Sequence, residues 1–580
     1  MGTSRSEAVA RLTTAGEPLE IGVEPVGGVP TRVFRRAPPT LLALADRAVE
    51  FFGELPFLVF DQERLTFREV GETAARLASG LRDLAGVGPG DRVAIAMRNY
   101  PEWVTAFIAI QNLGAVAVAM NAWWTPRELA LALADAEPKV IFVDAERLER
   151  LPCEADMGGL VAVAVRTDAG RRRDVVRYDS LLTSSLTDPF SAASPDDEAL
   201  IIYTSGSTAA PKGAVSTHRN MIQALFSWRL DAAADAVAAG RPPPDETRDP
   251  PTALLLPVPL FHVSGSHVGL LTSLLTGRKL VLMHKWDPEA ALDLIERETV
   301  THFTGPSAVT GDLVLTARRA GRRLDSLLSV GGGGAPRPPE QVRAIPDAIP
   351  TAEANIGWGM TETNAIGTGH SGAAYQAHPT SSGLPSAILD FRVVTELGVE
   401  LPEGEAGELQ VRGATVIRRY WRKPAETAAS FHDGWFRTGD LARLEGGRLY
   451  ILDRLKDMVL RGGENISCPQ VEAELAEHPC VAEAAVFGVP HERLGEQLAA
   501  VVTTRPGARG TEMELRHFLG QRLAAFQVPH AIKLVTEPLP RTASGKIAKR
   551  LLRDAWVAGM ATGAPNSASG TAPQMASRTR

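Results

Sequence analysis

Short apolar runs alternate with amphipathic stretches along most of the first 310 residues. Helical spacing opens near Thr40, in the run from Leu41 to Val49. Leu58-Val59-Phe60 and Leu65-Thr66-Phe67, separated by the polar stretch Asp61 to Arg64, predict a hairpin. Phe67 to Leu84 predicts an amphipathic helix ending near Gly86. Asp91 to Met97 reads as a strand, Glu102 to Leu113 as a helix and Ala115 to Met120 as a further strand. Continued past residue 310, this alternation argues for an α/β architecture with parallel strands.

The exceptions to the pattern divide the chain. Residues 1–35 read as a loosely packed lead-in. Residues 231–251 break the alternation with a Pro-rich polar loop from Gly240 to Glu246, and an apolar strand resumes at Ala253. Residues 383–452 carry shorter strands and many glycines, the mark of a β-rich subdomain. A smaller α/β unit follows over 458–557, and 558–580, rich in Ala, Ser, Thr and Gly, is expected to be disordered.

Composition adds bounds rather than a function. With 580 residues, 44% of them hydrophobic and 22% charged, the chain suits several globular units with sizeable cores. A net charge of -7 argues against a nucleic-acid partner. Cys153, Cys468 and Cys480 are widely spaced and give neither a disulfide framework nor a metal pattern. Met1 to Glu20 lacks the apolar core of a signal peptide, and Val104 to Met120, interrupted by Gln111, Asn112 and Gly114, falls short of a membrane span. A cytoplasmic protein is expected, with peripheral membrane contact left open for a lipid substrate.

The chemistry centres on Thr204-Ser205-Gly206-Ser207-Thr208-Ala209-Ala210-Pro211-Lys212-Gly213, which follows the apolar strand Ala199 to Tyr203. Small residues let backbone N–H groups approach an anion, the hydroxyls donate, and Lys212 adds a point charge, so the loop suits a polyphosphate. The lysine spacing is not that of the Walker loop. The plain alternative for any such stretch is a flexible turn. Four further segments stand out. Leu256-Pro257-Val258-Pro259-Leu260-Phe261-His262 delivers an aromatic and a histidine from a rigid strand exit. Gly331-Gly332-Gly333-Gly334-Ala335-Pro336 follows the predicted strand Leu327 to Val330 and permits close approach of a flat ligand. Trp358-Gly359-Met360-Thr361-Glu362 presents a ring, a hydroxyl and a carboxylate; singly, Trp358 would be core and Glu362 a solvated face. Thr438-Gly439-Asp440 offers a carboxylate that is acceptor-only when ionised.

Together with Asp453-Arg454-Leu455-Lys456, Arg461-Gly462-Gly463-Glu464 and Pro540-Arg541-Thr542-Ala543-Ser544-Gly545-Lys546, these segments resemble, in order and spacing, the adenylate-forming superfamily of acyl-CoA ligases, peptide adenylation domains and luciferases, in its fatty-acid–CoA ligase-like branch. The resemblance covers roughly residues 35–555, with Ala209 where the family usually has glycine and Trp358 where it usually has tyrosine. It implies a large N-terminal domain over 36–453, made of two α/β subdomains and the β-rich subdomain, a hinge at 454–457 centred on Lys456, and a small mobile α+β lid domain.

The resemblance also implies roles. ATP or AMP would be bound by Thr204, Ser205, Gly206, Ser207, Thr208, Lys212, Gly334, Ala335, Pro336, Trp358, Gly359, Asp440 and Arg454. Glu362 with Thr204 would hold Mg²⁺; Lys546, His262 and Thr361 would be catalytic; Gly462 and Gly463 would admit the pantetheine arm of coenzyme A. His262, where amino-acid-activating relatives tend to have aspartate, argues against an amino-acid substrate. The acyl pocket is expected in 261–269, 303–311 and 357–369, with Gly265, Gly269, Gly305, Gly311, Gly367 and Gly369. No fixed acid or cation beyond His262 stands out there, which points to a hydrophobic acid, a fatty acid first, with an aromatic acid or a carrier-protein acceptor as alternatives. A sensor that binds nucleotide without chemistry is the reading from another class. Oligomeric state is left open.

Overall fold

The computed structural model describes residues 3–153, 158–168, 174–184, 193–204, 212–245, 251–334, 337–455, 458–461, 464–542 and 545–561. These form two compact units. The first comprises the chain up to Thr438 together with Arg443–Tyr450, and the second Gly439–Ala442 together with the chain from Ile451.

Two large sheets build the first unit. In one, the parallel strands Arg92–Ala96, Val116–Ala119, Val140–Val143 and Val161–Ala164 are apolar on both faces apart from Arg92 at one strand start, as helix-covered strands require. Its far edge is antiparallel: Glu198–Thr204, Lys212–Thr217 and then the short strand Arg419–Tyr420. In the other sheet Ala253–Leu256, Lys279–Leu282, His302–Gly305, Ser329–Gly333 and Glu353–Gly357 run parallel, and Thr368–Ser371 returns antiparallel beside Glu353–Gly357. Helices Pro288–Arg297, Ser307–Ala320 and Pro339–Ala348 cover one face, burying Phe303, Leu313, Val330 and Val342. Each such side chain contributes about 1.5–3 kcal/mol over its exposed state.

Local chemistry sets the helix ends. Phe67–Ala85 starts at a Thr66/Glu69 capping box and stops at Gly86 with φ 57°, where glycine carries no Cβ penalty. His218–Ala238 starts at Thr217, whose side chain accepts from the Asn220 amide. That helix runs through residues 231–238, where the sequence predicted a break, because Ala233, Ala234, Ala236 and Val237 are buried along it. The lead-in is also ordered: Arg5–Leu12 is a helix capped by Ser4 and Glu7 that packs Ala8 against Ala234 and Val237, and Ile21–Val26 pairs with Val29–Phe34. The glycine segment is not only a loop, since strand Ser329–Gly333 includes Gly331 to Gly333. No helix among the described residues is long and apolar enough to cross a membrane.

In the second unit, Val481–His491 and Gly495–Thr504 form a long hairpin joined by Ala531–Val535 and by the pair Val459–Arg461 and Glu464–Ile466. Helices Cys468–Ala476 and Glu512–Gly520 close a core around Val471, Leu475, Val486 and Leu515. The last helix, Lys549–Ala561, extends past residue 557.

Candidate active site

Thr204 and Lys212 are paired across the hairpin of the first sheet, so the two ends of the polyphosphate-type loop are clamped together. Thr204 Oγ1 also reaches the Lys212 carbonyl at 3.4 Å. Ser205, Gly206, Ser207 and Thr208 lie outside the described residues. The Lys212 ammonium sits 5.5 Å from the centre of the Tyr420 ring, a cation–π contact. Tyr420 is delivered by the edge strand that pairs with Lys212–Thr217.

Tyr420 joins this edge to the second sheet. Its hydroxyl donates to Glu362 Oε1 at 2.8 Å, and the Ile417 amide donates to the Glu362 carbonyl at 2.9 Å. Burial first, and the Glu362 charge next, hold the Tyr420 phenol above its ordinary range, so it stays a donor. Glu362 is buried in a single turn, Thr361–Thr363, directly after strand Glu353–Gly357 and its exit at Trp358 and Gly359. A Cβ at Gly359 would lie 2.2 Å from the Ala365 carbonyl oxygen, so the turn closes only on glycine. Thr361 beside it is half-buried.

Trp358 is buried. Its ring lies where a Cβ at Gly367 would come within 2.3 Å, and it meets Phe391 edge-on at 5.9 Å. Gly334 is exposed at the end of its strand, with φ 72°, while Ala335 and Pro336 lie outside the described residues.

His262 follows Pro259, to whose carbonyl its amide donates at 3.2 Å, and its ring stands 4.8 Å from that of Phe261. A π-helix, Ser264–Leu271, begins two residues later. Within it, fully buried His267 contacts Asn364 Oδ1 through Nε2 and Ser266 Oγ through Nδ1, both at 2.9 Å. Asn364 Nδ2 donates to the Thr415 carbonyl, which leaves its oxygen to accept from His267. Burial pushes the His267 imidazole down to about 4, so it is neutral. This neutral bridge ties the His262 segment to the Glu362 turn.

The expected pocket glycines do other work. A Cβ at Gly265 would lie 2.1 Å from the Pro259 carbonyl oxygen, at Gly269 2.6 Å from Leu256, at Gly305 3.1 Å from Val309 and at Gly311 3.0 Å from Gln341. These four, like Gly367, allow close packing. Gly369 differs, for its Cβ position faces Asp231. Register places Thr304 beside Gly331, Gly331 beside Asn355, Gly333 beside Gly357 and Asn355 beside Ser371. Side chains paired in this way share a face. The same register brings Gly369 opposite Gly357. One face of the second sheet therefore carries Gly331, Gly333, Gly357 and Gly369 beside Thr304, Asn355 and Ser371, with Asp231 against Gly369 and the Thr368 carbonyl against Gly357.

In the second unit Arg454 Nε lies 3.3 Å from Asp440 Oδ1, with Asp440 buried. Burial first, then the Arg454 guanidinium, push the Lys546 ammonium down to about 8, with Asp440 opposing. The Lys546 loop is closed by hydrogen bonds from the Thr542 amide to the Lys546 carbonyl at 2.7 Å and from the Lys546 amide to Thr542 Oγ1 at 3.2 Å. Arg541 donates to the Gly545 carbonyl and pairs with Glu483. Lys549, three residues on, pairs with Glu472 at 2.7 Å. Lys456, Gly462 and Gly463 lie outside the described residues.

Comparison with known proteins names the framework. The family model described as "AMP-binding enzyme" matches residues 45–421, and "AMP-binding enzyme C-terminal domain" matches 470–546. The chain belongs to the AMP-binding enzyme family. Similar proteins include a feruloyl-CoA synthase from Amycolatopsis sp, 36% identical over 84% of this chain and 93% of that one. The long-chain-fatty-acid–CoA ligase FadD13 of Mycobacterium tuberculosis is 31% identical over 85% of this chain and 94% of that one. The crystal structure of the anthranilate CoA ligase AuaEII in complex with anthranoyl-AMP superposes with a TM-score of 0.81 at 24% identity, covering 90% of this chain and 98% of that one, a likeness of fold. This AMP-binding enzyme is an AMP-forming acyl-CoA synthetase, an acid–thiol ligase.

The side chains suit a metal brought in by its nucleotide. Among the described residues no cluster of three or more His, Cys, Asp or Glu could hold an ion alone. One carboxylate, Glu362, stands beside Thr361, and Mg²⁺ with few protein ligands takes the rest from phosphates and water. Sequence reasoning missed Tyr420, His267 and Asn364. The only local signal was the aromatic pair Tyr420-Trp421 within an otherwise basic stretch.

Proposed function

We propose that this synthetase activates a compact aromatic acid with ATP and Mg²⁺ and passes the acyl group to coenzyme A. The structural observation that supports this acid most is the pairing of Gly331 with Asn355 and of Gly333 with Gly357 on one sheet face, which keeps bulky side chains off those strands. The feruloyl-CoA synthase similarity points the same way.

In the first half-reaction a carboxylate oxygen attacks the α-phosphorus and pyrophosphate leaves. Both reactants are anions, so alignment and charge neutralisation dominate the barrier. Thr361 and Lys546 would steady the α-phosphate and the carboxylate, while Thr204 to Thr208 and Lys212 would hold the outer phosphates. Glu362 with Thr204 would hold Mg²⁺, whose charge would offset that of the phosphates. Asp440 and Arg454 would take the ribose, and Gly334, Ala335, Pro336, Trp358 and Gly359 the base side. In the second half-reaction the small domain would turn about Lys456, Gly462 and Gly463 would admit the pantetheine arm, and the sulfur would attack the acyl carbonyl past His262 as AMP leaves.

A long-chain fatty acid is the second reading, favoured by the similarity to FadD13. The test is pyrophosphate, AMP and thioester formation with ATP, Mg²⁺ and aromatic, short-chain and long-chain acids, each with and without coenzyme A. Thioester from aromatic acids supports the first reading. Thioester from long-chain acids alone replaces it with the second. Pyrophosphate unaccompanied by thioester in the presence of coenzyme A moves the acceptor to a carrier protein.

A further inference from the structure

Four fully buried residues, Ser266, His267, Asn364 and Thr415, form one directed chain of hydrogen bonds from the π-helix Ser264–Leu271 to the turn that carries Glu362. Its direction follows from the far end. Asn364 Nδ2 donates to the Thr415 carbonyl at 2.8 Å, so the atom that meets His267 Nε2 at 2.9 Å is Oδ1, which only accepts. His267 therefore carries its proton on Nε2. The ring is neutral, so Nδ1 is an acceptor, and the Ser266 hydroxyl 2.9 Å away donates to it. The His262 carbonyl is also within reach of that hydroxyl but is already satisfied, because the Gly265 and Ser266 amides both donate to it at 2.9 Å. Bonds aligned in one sense polarise one another, and out of water each is costly to lose.

The turn at the end of this chain is strained. Two residues after Glu362, Asn364 and then Ala365 have φ 56° and 64°, a left-handed region that Asn visits singly and Ala avoids. Such backbone persists only where its surroundings over-determine it. The Ala365 carbonyl oxygen lies 2.2 Å from where a Gly359 Cβ would be, so the turn folds back on the strand exit before it. Segment 415–420 grips Glu362 itself: the Ile417 amide donates to its carbonyl and the Tyr420 hydroxyl to its carboxylate. Asn364 is where the two supports meet, since its carboxamide takes Thr415 with one atom and His267 with the other. A leucine at 267 would fill the same place without burying two ring nitrogens. An imidazole there is explained by the bonds it makes at both ends.

Resting on the reading above in which Glu362 meets Mg²⁺, we infer that His267 is a positioning residue for that carboxylate. Through Asn364 it fixes the strained turn that sets where the Glu362 side chain stands, and so sets how strongly Mg²⁺ tightens the binding of ATP. The role is indirect: His267 acts on the turn, and the turn on the metal. Removing the imidazole would leave the Asn364 oxygen buried without a donor and free the left-handed pair to relax. Tyr420 would still hold one carboxylate oxygen, so the effect expected is a misplaced ligand rather than an absent one.

The experiment measures ATP binding to the full chain by calorimetry, with and without Mg²⁺ and with no acid present. The readout is the factor by which Mg²⁺ lowers the Kd, and E362Q shows how far that factor falls when the carboxylate charge is lost. H267L is expected to cut the factor about tenfold, as loss of an outer support of a metal ligand does, while the Kd of AMP and of metal-free ATP stays within about twofold. H267Q keeps an N–H donor near the place of Nε2 and should restore most of the factor. N364G relieves the left-handed strain but lacks the carboxamide, so it should match or exceed N364A in Tm and yet lose the Mg²⁺ factor as fully. Should H267L fail to fold, N364G carries the same test. A factor that E362Q reduces but H267L and N364G leave intact overturns the inference and keeps the metal reading. Equal weakening of AMP and ATP with a lowered Tm makes His267 structural only and overturns it as well. A factor that E362Q leaves unchanged removes the metal from Glu362, and the inference with it.

Discussion

Tyr420 donates its hydroxyl to Oε1 of Glu362 across 58 residues of sequence, at 2.8 Å and out of water. The same ring carries the Lys212 ammonium on its face. One side chain thus touches both a carboxylate and an ammonium, tying the Glu362 turn to the Lys212 strand.

Tyr420→Phe keeps the ring under Lys212 and removes only the hydrogen bond. Glu362 then loses a neutral donor to a charged acceptor, an interaction of about 1.5–3 kcal/mol. The expected result is a fall of roughly tenfold or more in adenylation kcat/KM, together with a changed Mg²⁺ requirement. Pyrophosphate exchange across a Mg²⁺ titration measures both. An unaltered Mg²⁺ profile would detach Glu362 from the metal.

Lys546 supplies a pH test. Its ammonium is held down to about 8, so the free enzyme loses this cation as pH rises through that value. Adenylation kcat/KM, which reports free-enzyme groups, should fall on the alkaline side with an apparent pKa near 8, and Lys546→Arg should remove that limb. Lys546→Ala should abolish adenylation yet spare thioester formation from a supplied acyl-adenylate. Equal loss in both half-reactions would refute this role.

Lys549 is expected to position the Lys546 loop. It pairs with Glu472, whose Oε1 also accepts from the Val486 amide at 2.6 Å. Lys549→Met leaves Glu472 without its cation, and breaking a shielded pair costs more than the pair contributes. Adenylation should drop about tenfold, a barrier change near 1.4 kcal/mol, while thioester formation from supplied adenylate stays within about twofold. Lys549→Arg should restore the rate. Parallel loss in both half-reactions with a lowered Tm would mean a structural role only.

Arg5→Met tests the Arg5–Asp231 ion pair through stability. Folded Asp231 already titrates near 6, with Arg5 and Asp235 as its charged neighbours, against about 3.9 unfolded. The folded state binds the extra proton between those values, so this group's contribution to stability falls as pH rises through the window. Without Arg5 the folded pKa rises further, and the loss of stability should be large at pH 7.5 and relieved at pH 5. Thermal unfolding of both proteins at the two pH values gives the answer. A pH-independent difference would show that Asp231 does not sense Arg5.

Much of the fold was legible because its signals are local. Alternating apolar runs marked the strands, capping residues such as Thr66 and Thr217 marked helix starts, and Gly86 marked a stop. The candidate nucleotide motifs stood out for the same reason: each is a few contiguous residues, and Thr361 and Glu362 emerge from one turn. The ordered helix over residues 231–238 was not. Its polar residues suggested a loop, but Asp231 and Asp235 are polar because Arg5 answers them, 226 and 230 residues away.

The sequence by itself therefore determined much of the order of strands and helices and marked the segments proposed for phosphate, ribose and lysine chemistry, since hydrophobic period and turn chemistry act over a few residues. Only the tertiary structure decided the partners: Tyr420 with Glu362, His267 with Asn364, Arg5 with Asp231, and which glycines admit a close neighbour. A side chain's partner depends on which strands lie side by side and which helix crosses them. Burial selects that arrangement for the whole chain, and it leaves no mark on the residues adjacent in sequence.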